Sequence, residues 1–249
     1  MKTKILISVF LILFSFVAAD TNFRLMSYNA LNFDGADRIT YFETVFAEAN
    51  PDIVVMQEME SSAGCDAMLG ALNSAIGGFA RATFVYDSGL QNMLFYKTAV
   101  ASLTSQDEVT ASPRVVSEYV LQIDGNPLRV YSCHLKASDT TTDEATRLTA
   151  VTALRNHLNA LASGTEFVIA GDMNFYRSSE DGYAKFIASE ANNIGRADDL
   201  CTEVGSWHNN SFYADVHTQC PRLTSFGGGS SGGMDDKFDF IFSNEGMNN

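Results

Sequence analysis

Four short apolar runs, each breaking off into polar residues, set the tightest limit on what this chain can fold into. Asp52 to Gln57 holds the consecutive apolar residues Ile53 to Met56 and continues into Glu58. Phe167 to Ala170 runs into Gly171-Asp172-Met173-Asn174. Phe23 to Asn29 ends in asparagine, and Leu128 to Leu135 carries His134 before Lys136 and Ser138. Runs this short, bounded by turn residues, suit strands in a sheet, the most apolar of them buried on both faces. Strand ends along one edge of a sheet are where α/β proteins assemble sites, because rigid strands aim the side chains and loops shape the mouth.

Helical patterns separate the runs. Ile39, Phe42, Val45, Phe46 and Ala49 share one face, stopped by Asn50-Pro51, and a second helix is predicted over Cys65 to Ile76 before Gly77-Gly78. Thr141 and Glu144 read as a capping-box pair heading a helix with the stripe Leu148, Val151, Leu154, Leu158 and Leu161. Phe79 to Tyr86 and Asn92 to Lys97 read as a hairpin through Asp87-Ser88-Gly89-Leu90. Val115 to Ile123 and Leu128 to Leu135 repeat that pattern around Asp124-Gly125-Asn126-Pro127, and Phe238 to Phe242 is the last strand. Strand pairs alternating with helices indicate a mixed-sheet α/β protein. The glycine-rich stretch Gly227 to Gly233 reads as a flexible loop within one domain. Sixteen residues follow it, too few for another domain. No Gly-Lys-Ser/Thr closes it, so it is not a nucleotide-binding loop.

Charge narrows the partners. Sixteen Lys plus Arg against 30 Asp plus Glu give a net −14. That balance argues against a basic nucleic-acid coat protein, whose affinity comes from cations neutralising phosphates. It leaves room for an enzyme that grips phosphate through a bound cation. With 46% hydrophobic and 18% charged residues, a disordered chain or a coiled coil is excluded.

The chain begins with Lys2 and Lys4, an apolar run from Ile5 to Val17, and the small residues Ala18-Ala19. The run is shorter than the roughly 20 apolar residues that span a bilayer, so residues 1–19 read as a cleaved signal peptide. The expectation is an exported protein, extracellular or periplasmic, without a transmembrane anchor, whose domain occupies 20–249. Export favours disulfides. Cys201 and Cys220 flank a polar stretch and are expected to pair, whereas Cys133 lies in an apolar run and is expected to stay reduced and buried.

Taken singly, each polar strand end has an ordinary role. Asn29 suits a turn, Glu58 a solvated helix start, and Asp172 the acceptor of a local turn. His134 alternates with Cys133, so the two point to opposite faces, and the histidine could be structural. Together the segments Met26-Ser27-Tyr28-Asn29, Asp52 to Glu58, Tyr131 to Ser138, Ile169 to Asn174 and Lys237 to Phe242 say more. In this order the chain resembles the endonuclease/exonuclease/phosphatase superfamily of DNase I-like metal-dependent phosphodiesterases and phosphatases. The resemblance implies two mixed β-sheets packed as a sandwich with helices outside.

It also implies roles. Glu58 would be the main carboxylate on a divalent cation, Mg²⁺ first and Mn²⁺ or Ca²⁺ as alternatives, with Asn29 beside it placing metal and phosphate. His134 and Asn174 would donate to phosphoryl oxygens, and Asp172 would orient the attacking water or assist the leaving group. Asp239 would match the carboxylate that holds a catalytic histidine in its useful tautomer. Arg114 is a weaker phosphate candidate, because Pro113-Arg114 reverses the family's Arg-Pro element. The family's closing Ser-Asp-His segment has no counterpart before Asn249, and His157, His208 and His217 lie elsewhere. The domain is therefore expected to be incomplete at its C-terminal end and the chain to have little activity by itself. The expected function is a monomeric, exported, Mg²⁺-dependent phosphodiester hydrolase of nuclease type acting on nucleic acid or another phosphodiester. The alternatives are a phosphatase, a sphingomyelinase-like lipid phosphodiesterase, and a non-catalytic phosphate-binding protein.

Overall fold

The computed structural model describes residues 22–86, 90–220, 222–227, 229 and 233–244. The expected signal peptide, residues 87–89 of the expected hairpin turn and part of the glycine-rich loop lie outside them. Strand β1 (Leu25–Phe33) is joined through helix α1 (Ile39–Ala49) to β2 (Ile53–Met59). The two strands run parallel, with Leu25 opposite Ile53 and Asn29 opposite Gln57. Parallel neighbours need a long crossover, which α1 supplies. Its buried face is Phe42 and Phe46, and it stops where Asn50 turns left-handed and donates its N–H to Phe46. Helix α2 (Ser62–Ala75) begins on Ser61, whose hydroxyl accepts from the Gly64 N–H. A Cβ on Gly64 would lie 2.9 Å from the Phe33 carbonyl oxygen, so only glycine lets α2 dock against the end of β1. Strands β3 (Phe79–Arg81) and β4 (Gln91–Lys97) pair antiparallel and complete a first sheet of order β1-β2-β4-β3.

The second sheet contains β5 (Ser102–Val109), β6 (Val116–Ile123), β7 (Asn126–His134), β8 (Glu166–Asp172), β9 (Asp198–Asp199) and β10 (Asp239–Ser243). Its order is β5-β6-β7-β8-β10-β9. Only β7 and β8 are parallel within it, and helix α3 (Thr141–Asn159) makes their crossover. Helix α4 (Asp181–Ile187) follows β8. Alternation along the strands splits the core in two. Val130, Val168 and Ala170 face the first sheet and share a cluster with Val54, Met56, Leu94, Phe46 and Leu72. Tyr131, Cys133, Phe167 and Ile169 face outward and pack against Val151, Leu154 and Leu158 of α3 and Phe186 of α4. Two mixed sheets packed face to face with helices outside are the architecture expected.

Several local expectations change. The cap of α3 sits one residue earlier than read: Thr140 accepts the Asp143 N–H and its hydroxyl donates to the Asp143 carboxylate at 2.6 Å. Glu144 instead grips Arg177. The buried face of α3 includes Arg147 and Arg155, while Leu148 is only half-buried. All four thiols are unbonded, so the expected Cys201–Cys220 disulfide is absent; Cys220 is exposed and Cys201 half-buried. The stretch between them has a different anchor. Trp207 is fully enclosed, with its indole N–H on the Phe175 carbonyl at 2.7 Å, and His217 bonds the Met234 and Trp207 carbonyls. No helix among the described residues is long and apolar enough to cross a membrane.

Candidate active site

The ends of β1 and β2 in one sheet and of β7, β8 and β10 in the other meet at one point. Asn29 makes the junction. Its Nδ2 donates to Glu58 Oε1 and to Asp172 Oδ2, each at 2.9 Å, while its Oδ1 accepts from the Leu31 N–H. Glu58 Oε2 accepts from the Asn32 N–H at 3.0 Å. His134 points Nε2 at the same two carboxylates, 3.7 Å from Glu58 Oε1 and 3.9 Å from Asp172 Oδ2. Asn174 donates from its backbone N–H and its Nδ2 to Asp172 Oδ1, and from Nδ2 to the Leu135 carbonyl. Asp239 is the register partner of Asp172 across β10 and β8.

The backbone is bent to reach this geometry. Glu58 (φ 60°) and Asn174 (φ 51°) both occupy the left-handed region, a strain that side chains tolerate where the surroundings enforce it. Gly171 has φ 149°, and a Cβ there would lie 1.9 Å from the Cys133 carbonyl oxygen. Glycine is required immediately before Asp172 because β7 passes directly over it.

Charge is concentrated where water is scarce. Burial raises the Asp172 carboxyl; the Asn29 hydrogen bond opposes this and the Glu58 charge adds to it. Burial, then the Asp172 charge, raises Asp239 well above the usual carboxylate range, and its Oδ1 is buried without a hydrogen-bond partner among the described residues. Burial and then the Arg114 charge push His134 down to about 3, so its ring is neutral and can donate one proton. Arg114 itself donates to the His134 and Leu135 carbonyls at 3.3 and 2.8 Å, and its charge acts on Asp172 and Glu58. The sequence-derived residues Asn29, Glu58, Arg114, His134, Asp172, Asn174 and Asp239 are therefore neighbours. The remaining histidines have other work: His157 bonds Tyr131, His208 bonds Asp236 and His217 bonds backbone carbonyls.

Oxygen donors under mutual repulsion suit a hard cation. A hard divalent cation binds through one or two carboxylates and keeps waters for its substrate, which fits Glu58 with the Asn29 amide beside it. Among the described residues no three His, Cys, Asp or Glu side chains close into a ligand cage. Water and substrate oxygens would have to complete the shell.

The sequence profile of the Endonuclease/Exonuclease/phosphatase family matches residues 26–249. The chain belongs to this family. Its members are hydrolases acting on phosphate esters and generally depend on divalent metals. No curated protein matches the chain in sequence. Among solved structures, the catalytic domain of human Nocturnin with bound sulfate is 17% identical, with a TM-score of 0.58 over 83% of this chain and 74% of that one. A mannosyl-6-phosphatase of Bacteroides thetaiotaomicron is 15% identical, TM-score 0.62, over 90% and 86%. D. rerio TDP2 complexed with a single-stranded DNA product is 15% identical, TM-score 0.58, over 90% and 84%. At these identities the likeness is one of fold.

The sequence did not disclose Thr218. Its Oγ1 accepts the N–H groups of Phe238 and Asp239 at 3.1 and 2.9 Å, and its hydroxyl faces the Asp239 carboxylate. A threonine in a long polar loop gives no signal that it will dock on a strand twenty residues later.

Proposed function

We propose that this chain is an exported, Mg²⁺-dependent phosphodiester hydrolase of nuclease type. The observation carrying the reading is the Asn29 amide, which ties Glu58 of one sheet to Asp172 of the other at 2.9 Å each. A junction of that kind brings a cation site and a water-orienting carboxylate to one phosphate. Glu58 would hold the cation, which when bound neutralises charge on the phosphoryl oxygens. Neutral His134 donates its Nε2 proton to a phosphoryl oxygen, where negative charge grows in the transition state. Asp172 Oδ2 lies across Asn29 from Glu58 and orients the attacking water. Asn174, held left-handed against Asp172, presents its amide to the same phosphate. Asp239 keeps a buried Oδ1 without a partner among the described residues, a position suited to orienting an imidazole. Among the described residues His157, His208 and His217 bond other groups and not Asp239.

The test is hydrolysis of plasmid DNA, bis(p-nitrophenyl) phosphate, sphingomyelin and a sugar phosphate, with Mg²⁺ and with a chelator. Cation-dependent cleavage, strongest on DNA, is expected. Glu58→Gln and Asp172→Ala should each lower it by about 100-fold or more. Hydrolysis that survives both the chelator and Glu58→Gln sinks the reading, and a clear preference for sphingomyelin or the sugar phosphate replaces the nuclease assignment. Export is checked separately, by whether the mature protein begins at Asp20.

A further inference from the structure

We propose that the buried Arg147–Glu180 pair is a positioning device of the active site, locking together the loop that follows His134 and the loop that follows Asp172. The proposal rests on the hydrolase reading of that site. Arg147 of α3 is fully enclosed, and Glu180, just before α4, is 1% exposed. The guanidinium places Nε at 2.9 Å and Nη2 at 2.8 Å from Glu180 Oε2. Its Nη1 donates to the Lys136 and Ser138 carbonyls at 2.8 and 2.7 Å. Glu180 Oε1 accepts the Tyr176 N–H at 2.7 Å. One continuous chain of bonds thus runs from the backbone just beyond His134 to the backbone just beyond Asn174. Tyr176 closes the arrangement, its ring 5.5 Å from the guanidinium.

The ion pairing by itself does not account for these two residues. Enclosed ion pairs are costly to desolvate, and apolar residues of similar volume commonly serve a core as well or better. An apolar pair could not bond three backbone groups on two loops. Both loops need that support. Ser138 (φ 83°) and Asn174 (φ 51°) are non-glycine residues in the left-handed region, and Arg147 bonds the carbonyl of Ser138 itself. Glu144, nearly one turn earlier on α3, grips Arg177 at 2.7 and 2.8 Å, so the same helix ties the Asp172 loop twice. Arg114 pins the His134 loop from its other side.

The experiment uses the full chain carrying Arg147→Met with Glu180→Leu, beside Arg147→Lys and Glu180→Gln. The double variant is expected to fold with a modestly lower melting temperature, because removing the costly ion pair is offset by the Lys136 and Ser138 carbonyls and the Tyr176 N–H losing their partners. Its kcat on bis(p-nitrophenyl) phosphate with Mg²⁺ should fall about 10- to 100-fold with little change in KM. Arg147→Lys should recover only part of the rate, because one ammonium cannot reach Glu180 and both carbonyls. Amide hydrogen exchange gives a readout independent of turnover: residues 135–138 and 174–178 should exchange faster in the double variant while α1 and β2 do not change. Unaltered kcat and unaltered exchange in a folded double variant overturn the proposal. If the wild type shows no turnover, exchange alone decides whether the pair locks the loops, and wild-type exchange in the double variant overturns the proposal. If the double variant does not fold, Glu180→Gln is read the same way, and wild-type kcat and exchange there overturn the proposal.

Discussion

The two sheets deliver the side chains of the candidate site by different means. In the β1–β2 half, the strands under Asn29 and Glu58 are seated by apolar packing, and the Leu31 and Asn32 N–H groups fix the two side chains. Val54, Met56, Phe33 and Phe46 are fully buried, and Phe42 meets Phe33 edge-on at 5.2 Å. The connection there is short, since β2 ends at Met59 and α2 begins at Ser62. In the β7–β8 half the chain wanders further: β8 ends at Asp172 and α4 begins only at Asp181. That half encloses charges. Arg147 and Arg155 are fully buried, and Lys237 meets Asp199 at 3.0 Å with both side chains nearly inaccessible. Short crossovers are positioned by shape. Longer loops cannot bury their backbone without partners, and here buried side-chain charges supply them.

Removing packing should give the largest effect. Phe46→Ala is expected to cost about 3–5 kcal/mol in a denaturant melt while leaving kcat of the folded fraction unchanged. A fall in that kcat would show that the first half also depends on fine positioning. Arg155 donates to the Lys185, Phe186 and Ala188 carbonyls at 2.9, 2.9 and 3.1 Å. Arg155→Met should cost about 2–3 kcal/mol by stranding those groups, and little change would mean that water replaces the guanidinium. The smallest effect concerns pH without metal. Burial raises the folded-state carboxyl of Asp172 above its unfolded value near 4. The stability it carries is present at acid pH and lost as pH rises through the folded value. In a chelator, Asp172→Asn should therefore gain on wild type as pH climbs from 4 toward neutrality. Parallel stability curves for the two proteins would place the Asp172 titration outside the folded-state balance.

The strands that carry the site were legible because their apolar runs are short and end abruptly on polar residues. Gly171-Asp172-Met173-Asn174 shows this best, since the glycine is demanded by a neighbouring strand and the carboxylate meets Asn29 and Asn174. What escaped was held by polar residues acting at a distance. Arg147 falls four residues before Val151 on the buried face of α3, a charge on an apolar stripe, and that was the available sign of its role. Thr218 offered none. The expected Cys201–Cys220 bridge assumed that a polar stretch needs a covalent staple, whereas Trp207 and His217 anchor it. Strand β5 was overlooked because Thr104, Asp107 and Glu108 leave no apolar alternation to read.

That strand has a consequence of its own. β5 forms an outer edge of the six-stranded sheet, and Asp107 and Glu108 stand exposed along it beside a register shift between Leu103 and Ser105. A flat apolar edge would invite a second molecule to continue the sheet; acid side chains and an irregular register make such stacking unfavourable. Polar residues along this edge thus work against one copy of the protein pairing edge to edge with the next.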